Sequence, residues 1–94
     1  MGLRMRIVAG PASRGVAVEV ADMLGAELVH PHCKEFPDGE HYFRLPDVDP
    51  SDVFVLVQGT HPPQDRNLVQ LLLISCGLRD LGARKIIAVV PYLA

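Results

Sequence analysis

Apolar residues recur along this chain with two different spacings. The largely apolar segments Met5–Ala9 and 52–59 predict buried strands, and the β-branched run over 85–90 is typical of a parallel strand that is buried on both faces. Apolar residues three and four positions apart predict helices over 13–25 and 67–81. Most of the chain is therefore expected to form a buried sheet with helices packed against it.

Polar and glycine residues indicate where these elements begin and end. Ser13 is expected to be the N-cap of the first helix, with its hydroxyl accepting a hydrogen bond from an amide of the first turn. Gly25 is a favourable C-terminal stop, and a second strand is expected over 26–30. Residues 60–65 are expected to form a loop before the second helix. Gly82 is expected to end that helix.

The stretch "KEFPDGEHYFRL", residues 34–45, departs from both spacings. It surrounds the sequence Pro37-Asp38-Gly39 with acidic and aromatic residues. Because proline presets φ and glycine accepts a positive φ, this stretch predicts a β-hairpin. The order of elements is therefore β-α-β, hairpin, β-α-β. We predict an α/β fold, a parallel sheet with flanking helices and a protruding β-hairpin.

Composition and charge narrow the function classes. The chain has 94 residues, 49% of them hydrophobic, and a net charge of −2, which fits one small folded domain and not a nucleic-acid binder with a basic face. No apolar run is long enough to cross a membrane, and the N-terminus lacks the apolar core of a secretion signal. The cysteines, Cys33 and Cys76, are widely separated. We therefore expect a reduced, cytoplasmic protein with no membrane partner.

Two short motifs and one histidine are candidate chemical sites. "GPASRG", residues 10–15, follows a strand and opens a helix, but Val16 and Ala17 stand where a P-loop needs Lys and Ser or Thr. It is best interpreted as a tight turn, although helix amides there could hold an anion. "HPHC", residues 30–33, has metal-ligating side chains but no second ligand pair. His61 lies in a loop without a nucleophile to mark it as a proton donor.

A receiver domain also alternates strands and helices, but it needs acidic residues after its first and third strands. Here those places hold Gly10-Pro11 and Gln58-Gly59, which makes that interpretation poor.

The predicted helix over 67–81 is apolar around most of its circumference, whereas a surface helix has a single apolar stripe. Two interpretations stay open. In the first, the helix is buried within its own domain. In the second, part of the helix contacts another subunit or domain.

"KEFPDGE" and "NLVQLLLISCGLRDLGARKIIAVVPYLA" resemble the N-terminal domain of ribose-phosphate pyrophosphokinases, and the similarity extends over nearly the whole chain. The resemblance implies part of a type I phosphoribosyltransferase-like domain. It also implies an enzyme that transfers diphosphate from ATP to ribose 5-phosphate with Mg²⁺, making phosphoribosyl pyrophosphate for nucleotide biosynthesis. In that family the hairpin reaches the ATP adenine of a neighbouring subunit, so the resemblance assigns nucleotide binding to Phe36, Asp38 and Glu40 and implies a homo-oligomer.

The residue chemistry agrees with this assignment, since an aromatic ring can cover a purine and carboxylates can accept hydrogen bonds from its amino group. From the residues alone, a plain solvated turn is the other interpretation of the hairpin.

The family's metal-associated histidine, catalytic lysine and phosphate-binding loops have no counterpart in this sequence. We therefore expect residues 1–94 to be an N-terminal domain portion without the second domain, without catalytic residues or metal ligands, and inactive alone. The alternative is a non-catalytic oligomerisation or regulatory module derived from that enzyme.

Overall fold

The computed structural model describes residues 4–92, apart from the side chain of His41. It consists of a four-stranded sheet, a separate two-stranded hairpin and two α-helices, with a short 3-10 helix before the first of them. In chain order the elements are β1 (Met5–Ala9), the 3-10 helix (Pro11–Ser13), α1 (Arg14–Leu24), β2 (Glu27–Val29), β3 (His32–Glu35), β4 (His41–Arg44), β5 (Val53–Val57), α2 (Gln64–Asp80) and β6 (Lys85–Val89).

The larger sheet is parallel throughout, with the strand order β2-β1-β5-β6. Strands β1 and β5 form its centre, where Ile7 lies beside Val55. Strand β5 is buried along its whole length, as its continuous apolar sequence requires. The sheet therefore confirms the predicted α/β class, and its carboxyl edge gathers the turns that follow β1, β5 and β6.

Each face of the sheet has its own apolar core, because side chains alternate along a strand. On one face α1 contributes Ala17 and Ala21, which pack with Ile7, Val55 and Val57. On the opposite face α2 contributes Ile74 and Leu78 to a cluster that includes these strand residues: Val8, Val29, Phe54 and Leu56. The molecule is thus a three-layer arrangement, with one helix on each side of the sheet.

The hairpin formed by β3 and β4 is antiparallel and separate from the larger sheet, as predicted. It is attached to α2 through Phe43, whose ring lies directly over Gly77. A Cβ atom at position 77 would come within 2.9 Å of the Phe43 Cε1 atom and closer still to Cζ. The glycine in the last turn of α2 is therefore explained by the close approach of the hairpin.

Ion pairs hold the amino edge of the sheet. The Arg6 guanidinium, at 12% side-chain exposure, lies 2.9 Å from the Glu27 carboxylate and 3.0 Å from the buried Asp52 carboxylate. Arg4 makes a second, exposed contact with Glu27 at 2.9 Å. Because Arg6 and Asp52 are both largely shielded from water, the pair joins β1 to the segment that leads into β5.

Several element boundaries differ from the sequence prediction. Helix α2 begins at Gln64 and not at residue 67, so the preceding loop is shorter than expected. Strand β2 covers only Glu27–Val29. Ser13 does precede the first turn of α1, but its hydroxyl caps no amide of that helix and instead accepts a hydrogen bond from the Gly59 N–H at 2.9 Å. A long-range partner has replaced the expected local one.

Strand β6 is the main departure from the expected burial. It lies at the edge of the sheet, and Ile87 on it is 40% exposed. The apolar sequence of β6 predicts burial on both faces, but α1 packs mainly over β1, β2 and β5. Ile86 and Val89 of β6 pack against the two cores, whereas Ile87 stays exposed. Within residues 4–92 no helix is long and apolar enough to span a membrane.

Replacing Gly77 with Ala is expected to destabilise the fold, because the added methyl group would collide with the Phe43 ring. Overpacking of this kind costs roughly 1–3 kcal/mol, which outweighs the gain of about 1 kcal/mol in helix propensity. Gly15→Ala is the matched control, since nothing lies within 4 Å of a Cβ at that helical position. Urea unfolding of both variants measures the difference, and equal stability would contradict the proposed close contact.

Candidate functional site

The tip of the hairpin brings the three predicted site residues together in one short loop. The Phe36 N–H donates to the Glu40 carbonyl at 2.7 Å, and the Gly39 N–H donates to the Phe36 carbonyl at 2.9 Å. Gly39 has a φ of +87°, which L-amino acids with side chains rarely adopt. The predicted Pro-Asp-Gly turn is therefore confirmed, and Phe36, Asp38 and Glu40 all lie exposed around it.

Asp38 has a structural role in this turn. Its Oδ1 atom accepts a hydrogen bond from the Glu40 N–H at 3.1 Å, which fixes the backbone between the two acidic residues. Among the described side chains and backbone, this bond engages only one of the two carboxylate oxygens. Asp38 can therefore stabilise the turn and still offer its second oxygen to a ligand. Its role in the turn is compatible with the predicted role in nucleotide binding.

The Phe36 ring is only partly covered by its neighbours. Its centroid lies 6.2 Å from that of Tyr42, with the two ring planes at 58°. The Lys34 ammonium lies 5.2 Å from the Phe36 centroid, within the range of a cation–π interaction. Phe36 nevertheless remains 37% exposed, so a large part of its surface is free to contact a planar ligand.

The base of the hairpin is fixed against α2. Cys33 and Phe43 lie opposite each other on the two strands and, with Tyr42, Gln70, Leu73 and Ile74, line a narrow cavity of about 10 Å³. The Glu35 carboxylate lies 3.4 Å from the Arg66 guanidinium in the first turns of α2. These contacts hold the exposed tip in a defined position relative to the sheet.

The carboxyl edge of the sheet contains a buried polar network that the sequence interpretation missed. The Gln58 side chain, with no exposed surface, follows β5 directly. Its Oε1 atom accepts a hydrogen bond from the Ala12 N–H at 3.0 Å, and its Nε2 group donates to the Asn67 carbonyl at 3.2 Å and to Gln70 Oε1 at 3.4 Å. One amide thus connects the turn after β1, the end of β5 and the start of α2.

Asn67 extends this network, since its side-chain amide donates to the His61 carbonyl at 2.7 Å. Two features of the sequence indicate this network. Gln58 comes directly after an apolar strand, and Asn67 lies inside an apolar helix. Both are buried, and a buried polar group needs partners of this kind.

The glycine turn over residues 10–15 has a structural role. The Gly10 N–H donates to the Val57 carbonyl at 2.8 Å, and a Cβ at Gly10 would lie 2.6 Å from that same oxygen and collide with Gln58 Oε1. The absence of a side chain therefore allows β1 and β5 to end close together. This agrees with the interpretation of the motif as a tight turn.

The remaining candidate residues do not form a metal site in the part of the chain that the structure describes, where no group of three metal-ligating side chains occurs. His30 and His32 are exposed, whereas Cys33 faces α2. The His61 ring packs edge-on against Tyr92, with the centroids 6.3 Å apart.

Comparisons with known proteins place this geometry in a family. Residues 5–94 match the model of the N-terminal domain of ribose phosphate pyrophosphokinase. A ribose-phosphate pyrophosphokinase from Saccharolobus solfataricus is 44% identical over 96% of this chain, and one from Methanobrevibacter smithii is 44% identical over 93%. The chain spans about a third of these relatives, 31% and 29% of their lengths respectively.

Solved structures agree on the fold. Phosphoribosylpyrophosphate synthetase from Mycobacterium smegmatis superposes with a TM-score of 0.86 at 23% identity, over 94% of this chain and 30% of that one. A purine phosphoribosyltransferase from Pyrococcus horikoshii superposes with a TM-score of 0.66 at 17% identity, over 98% of this chain and 69% of that one.

The sheet, its helices and the fixed hairpin thus define a phosphoribosyltransferase-like α/β domain. More narrowly, the chain belongs to the family of N-terminal domains of ribose-phosphate pyrophosphokinases. The resemblance noted in the sequence is confirmed. The assignments of Phe36, Asp38 and Glu40, and of the domain limits, remain predictions.

The two cysteines are expected to react with thiol reagents at different rates. Burial raises the pKa of the Cys33 thiol above its ordinary value, and the positive charge of Arg14 opposes this shift only in part. Cys76 is exposed on α2. Because the thiolate is the reactive form, Cys33 should be alkylated more slowly than Cys76 in the folded chain at neutral pH.

Cys33→Ser and Cys76→Ser variants, labelled with iodoacetamide and followed by mass spectrometry, separate the two rates. In urea the two thiols should react alike. Equal rates in the folded chain would show that the base of the hairpin does not cover Cys33.

Proposed function

We propose that this chain is the N-terminal third of a ribose-phosphate pyrophosphokinase. The reaction transfers diphosphate from ATP to the C1 hydroxyl of ribose 5-phosphate and supplies phosphoribosyl pyrophosphate for nucleotide biosynthesis. The observation that carries this proposal is the 44% identity to proteins of that name along 96% of the chain. The expected compartment is the cytoplasm.

In this proposal the tip of the hairpin contacts the adenine of ATP bound mainly by a neighbouring subunit. Phe36 is 37% exposed, with the Lys34 ammonium over one face of its ring, and a base can stack on the exposed surface. Asp38 and Glu40 offer carboxylate oxygens that can accept hydrogen bonds from an exocyclic amino group. The turn hydrogen bonds and the contacts between hairpin and α2 arrange these groups before the nucleotide arrives, which lowers the entropy cost of binding.

The groups that act on the phosphates are assigned to the remainder of a full-length synthetase. No group of three metal-ligating side chains occurs among the described residues. In this proposal the Mg²⁺ ligands also belong to the remainder of the full-length synthetase. Phosphoryl transfer needs cations placed around the moving group. The chain alone is therefore expected to make no phosphoribosyl pyrophosphate.

A chimaera tests the proposal. This chain would replace the first third of the Saccharolobus solfataricus enzyme, and phosphoribosyl pyrophosphate formation would be measured with ATP, Mg²⁺ and ribose 5-phosphate. The control chimaera carries the corresponding third of the Methanobrevibacter smithii enzyme. It is matched in divergence, because the Saccharolobus solfataricus and Methanobrevibacter smithii enzymes are each 44% identical to this chain. Both chimaeras should be active. A folded but inactive chimaera of this chain beside an active control would contradict the proposal.

Within the active chimaera, Phe36→Ala is expected to raise KM for ATP. The loss of one stacked base contact corresponds to about 1–3 kcal/mol of nucleotide binding, with the melting temperature nearly unchanged because Phe36 lies at an exposed tip. An unchanged KM together with a sharply lower melting temperature would instead make Phe36 a packing residue.

A non-catalytic oligomerisation or regulatory module remains the second candidate, and one observation favours it. Helix α2 leaves Leu68, Val69 and Leu72 exposed, and Leu81 directly after it is exposed as well. Leu68 and Leu72 lie one turn apart and so form a continuous apolar surface that association would cover. Association is expected for the synthetase as well, so the activity of the chimaera distinguishes the two candidates.

Light scattering should therefore give this chain a mass above the 10.3 kDa of one copy, falling on dilution. Leu72→Glu should shift the population towards monomer, because it places a charge in the apolar surface. Met23→Glu on α1, where Met23 is 85% exposed, is the control and should not change the mass. A mass of one copy at every concentration would exclude this contact.

A further inference from the structure

The two faces of the hairpin have different surroundings. Cys33 and Phe43, paired across the strands, face α2. Lys34 and Tyr42 are the next pair along the ladder and project mainly towards the opposite face, although Tyr42 also borders the small cavity beside α2. Phe36 joins them, since its ring contacts both the Tyr42 ring and the Lys34 ammonium. We call Lys34, Phe36 and Tyr42 the outward face.

The outward face has the shape of an open corner. The Phe36 and Tyr42 rings are inclined at 58° with their centroids 6.2 Å apart, and Tyr42 is 45% exposed. Two inclined rings cannot stack on the same flat molecule. A base that stacks on Phe36 would instead present its edge to Tyr42, which is a favourable arrangement for aromatic groups.

The charges around this corner match a nucleotide. The Asp38 and Glu40 carboxylates stand at the tip, where they can accept hydrogen bonds from an amino group on a base. The Lys34 ammonium lies over one face of the Phe36 ring, 5.2 Å from its centroid, which leaves the other face for a base. Its positive charge can attract the negatively charged phosphates that every nucleotide carries. The corner therefore fits a planar, amino-bearing base that is joined to an anion.

We propose that Tyr42 is a second base-contacting residue, which forms a wall beside Phe36 and favours a two-ring purine over a one-ring pyrimidine. This inference rests on the proposed function, because it takes the nucleotide to be the ATP used by the synthetase. A purine is wide enough to cover Phe36 and reach the ring of Tyr42, whereas a pyrimidine stacked on Phe36 leaves that wall without contact. Tyr42 is therefore a specificity residue, and its aromatic ring is the part that acts.

The test uses the active chimaera and two variants of Tyr42. Tyr42→Leu should raise KM for ATP by about fivefold or more, because a lost base–aromatic contact costs at least about 1 kcal/mol. The same variant should reduce the preference for ATP over CTP. Tyr42→Phe, which keeps the ring, should preserve both values. The KM for ribose 5-phosphate should not change in either variant. Met23→Leu on α1, far along the chain from the hairpin, is the matched control.

Each outcome is informative. If Tyr42→Leu leaves the ATP/CTP preference unchanged while Phe36→Ala raises KM for ATP, the inference about Tyr42 is wrong and the proposed function stands. If neither variant affects ATP in an active chimaera, the hairpin does not contact the base and both assignments fall. If Tyr42→Phe loses as much as Tyr42→Leu, the hydroxyl and not the ring is responsible. A lower melting temperature with an unchanged nucleotide preference would make Tyr42 a packing residue and overturn the inference.

Discussion

The Phe43 ring fills the space that a side chain at position 77 of α2 would occupy. A two-stranded hairpin is at best marginally stable in water, so its position depends on what it packs against. Phe43 connects the hairpin to the cluster of Val8, Phe54 and Leu56 beneath α2. The loop that carries Phe36, Asp38 and Glu40 thus has a defined place because one glycine allows one ring to approach a helix.

The two edges of the sheet are held by different interactions. At the amino edge, Arg6 lies between the carboxylates of Glu27 and Asp52. At the carboxyl edge, the buried Gln58 amide joins three segments through neutral hydrogen bonds. A buried amide that loses a partner costs about 1–3 kcal/mol, so this network fixes the positions of its segments strongly. Function is built at the carboxyl edge in open α/β sheets, and here the Gln58 network orders that edge through uncharged groups.

The fold was largely predictable from the sequence because its signals are local. The apolar run of β5 and the Pro-Asp-Gly turn each indicate one structure by their own chemistry. Ser13 and Gln58 could not be interpreted in this way, because their partners, Gly59 and Ala12, lie 46 residues away in the sequence. The exposure of β6 was missed for a related reason, since burial depends on which strands α1 covers. The three hairpin residues are assigned through resemblance alone, whereas Tyr42 is a candidate because its ring lies beside Phe36 in the structure.

The position of β5 in the centre of the sheet has a consequence for how the chain folds. Met5 pairs with Val53, so the central pair joins the beginning of the chain to its second half, with α1, β2 and the whole hairpin in between. Closing such a long loop costs entropy before any contact compensates for it, and folds rich in contacts of this kind form slowly. During synthesis, β1 and α1 must wait for β5 to emerge from the ribosome, and α2, which covers the other face, emerges later still. The hairpin can close early by its local turn, but it can pack on Gly77 only after α2 has been synthesised.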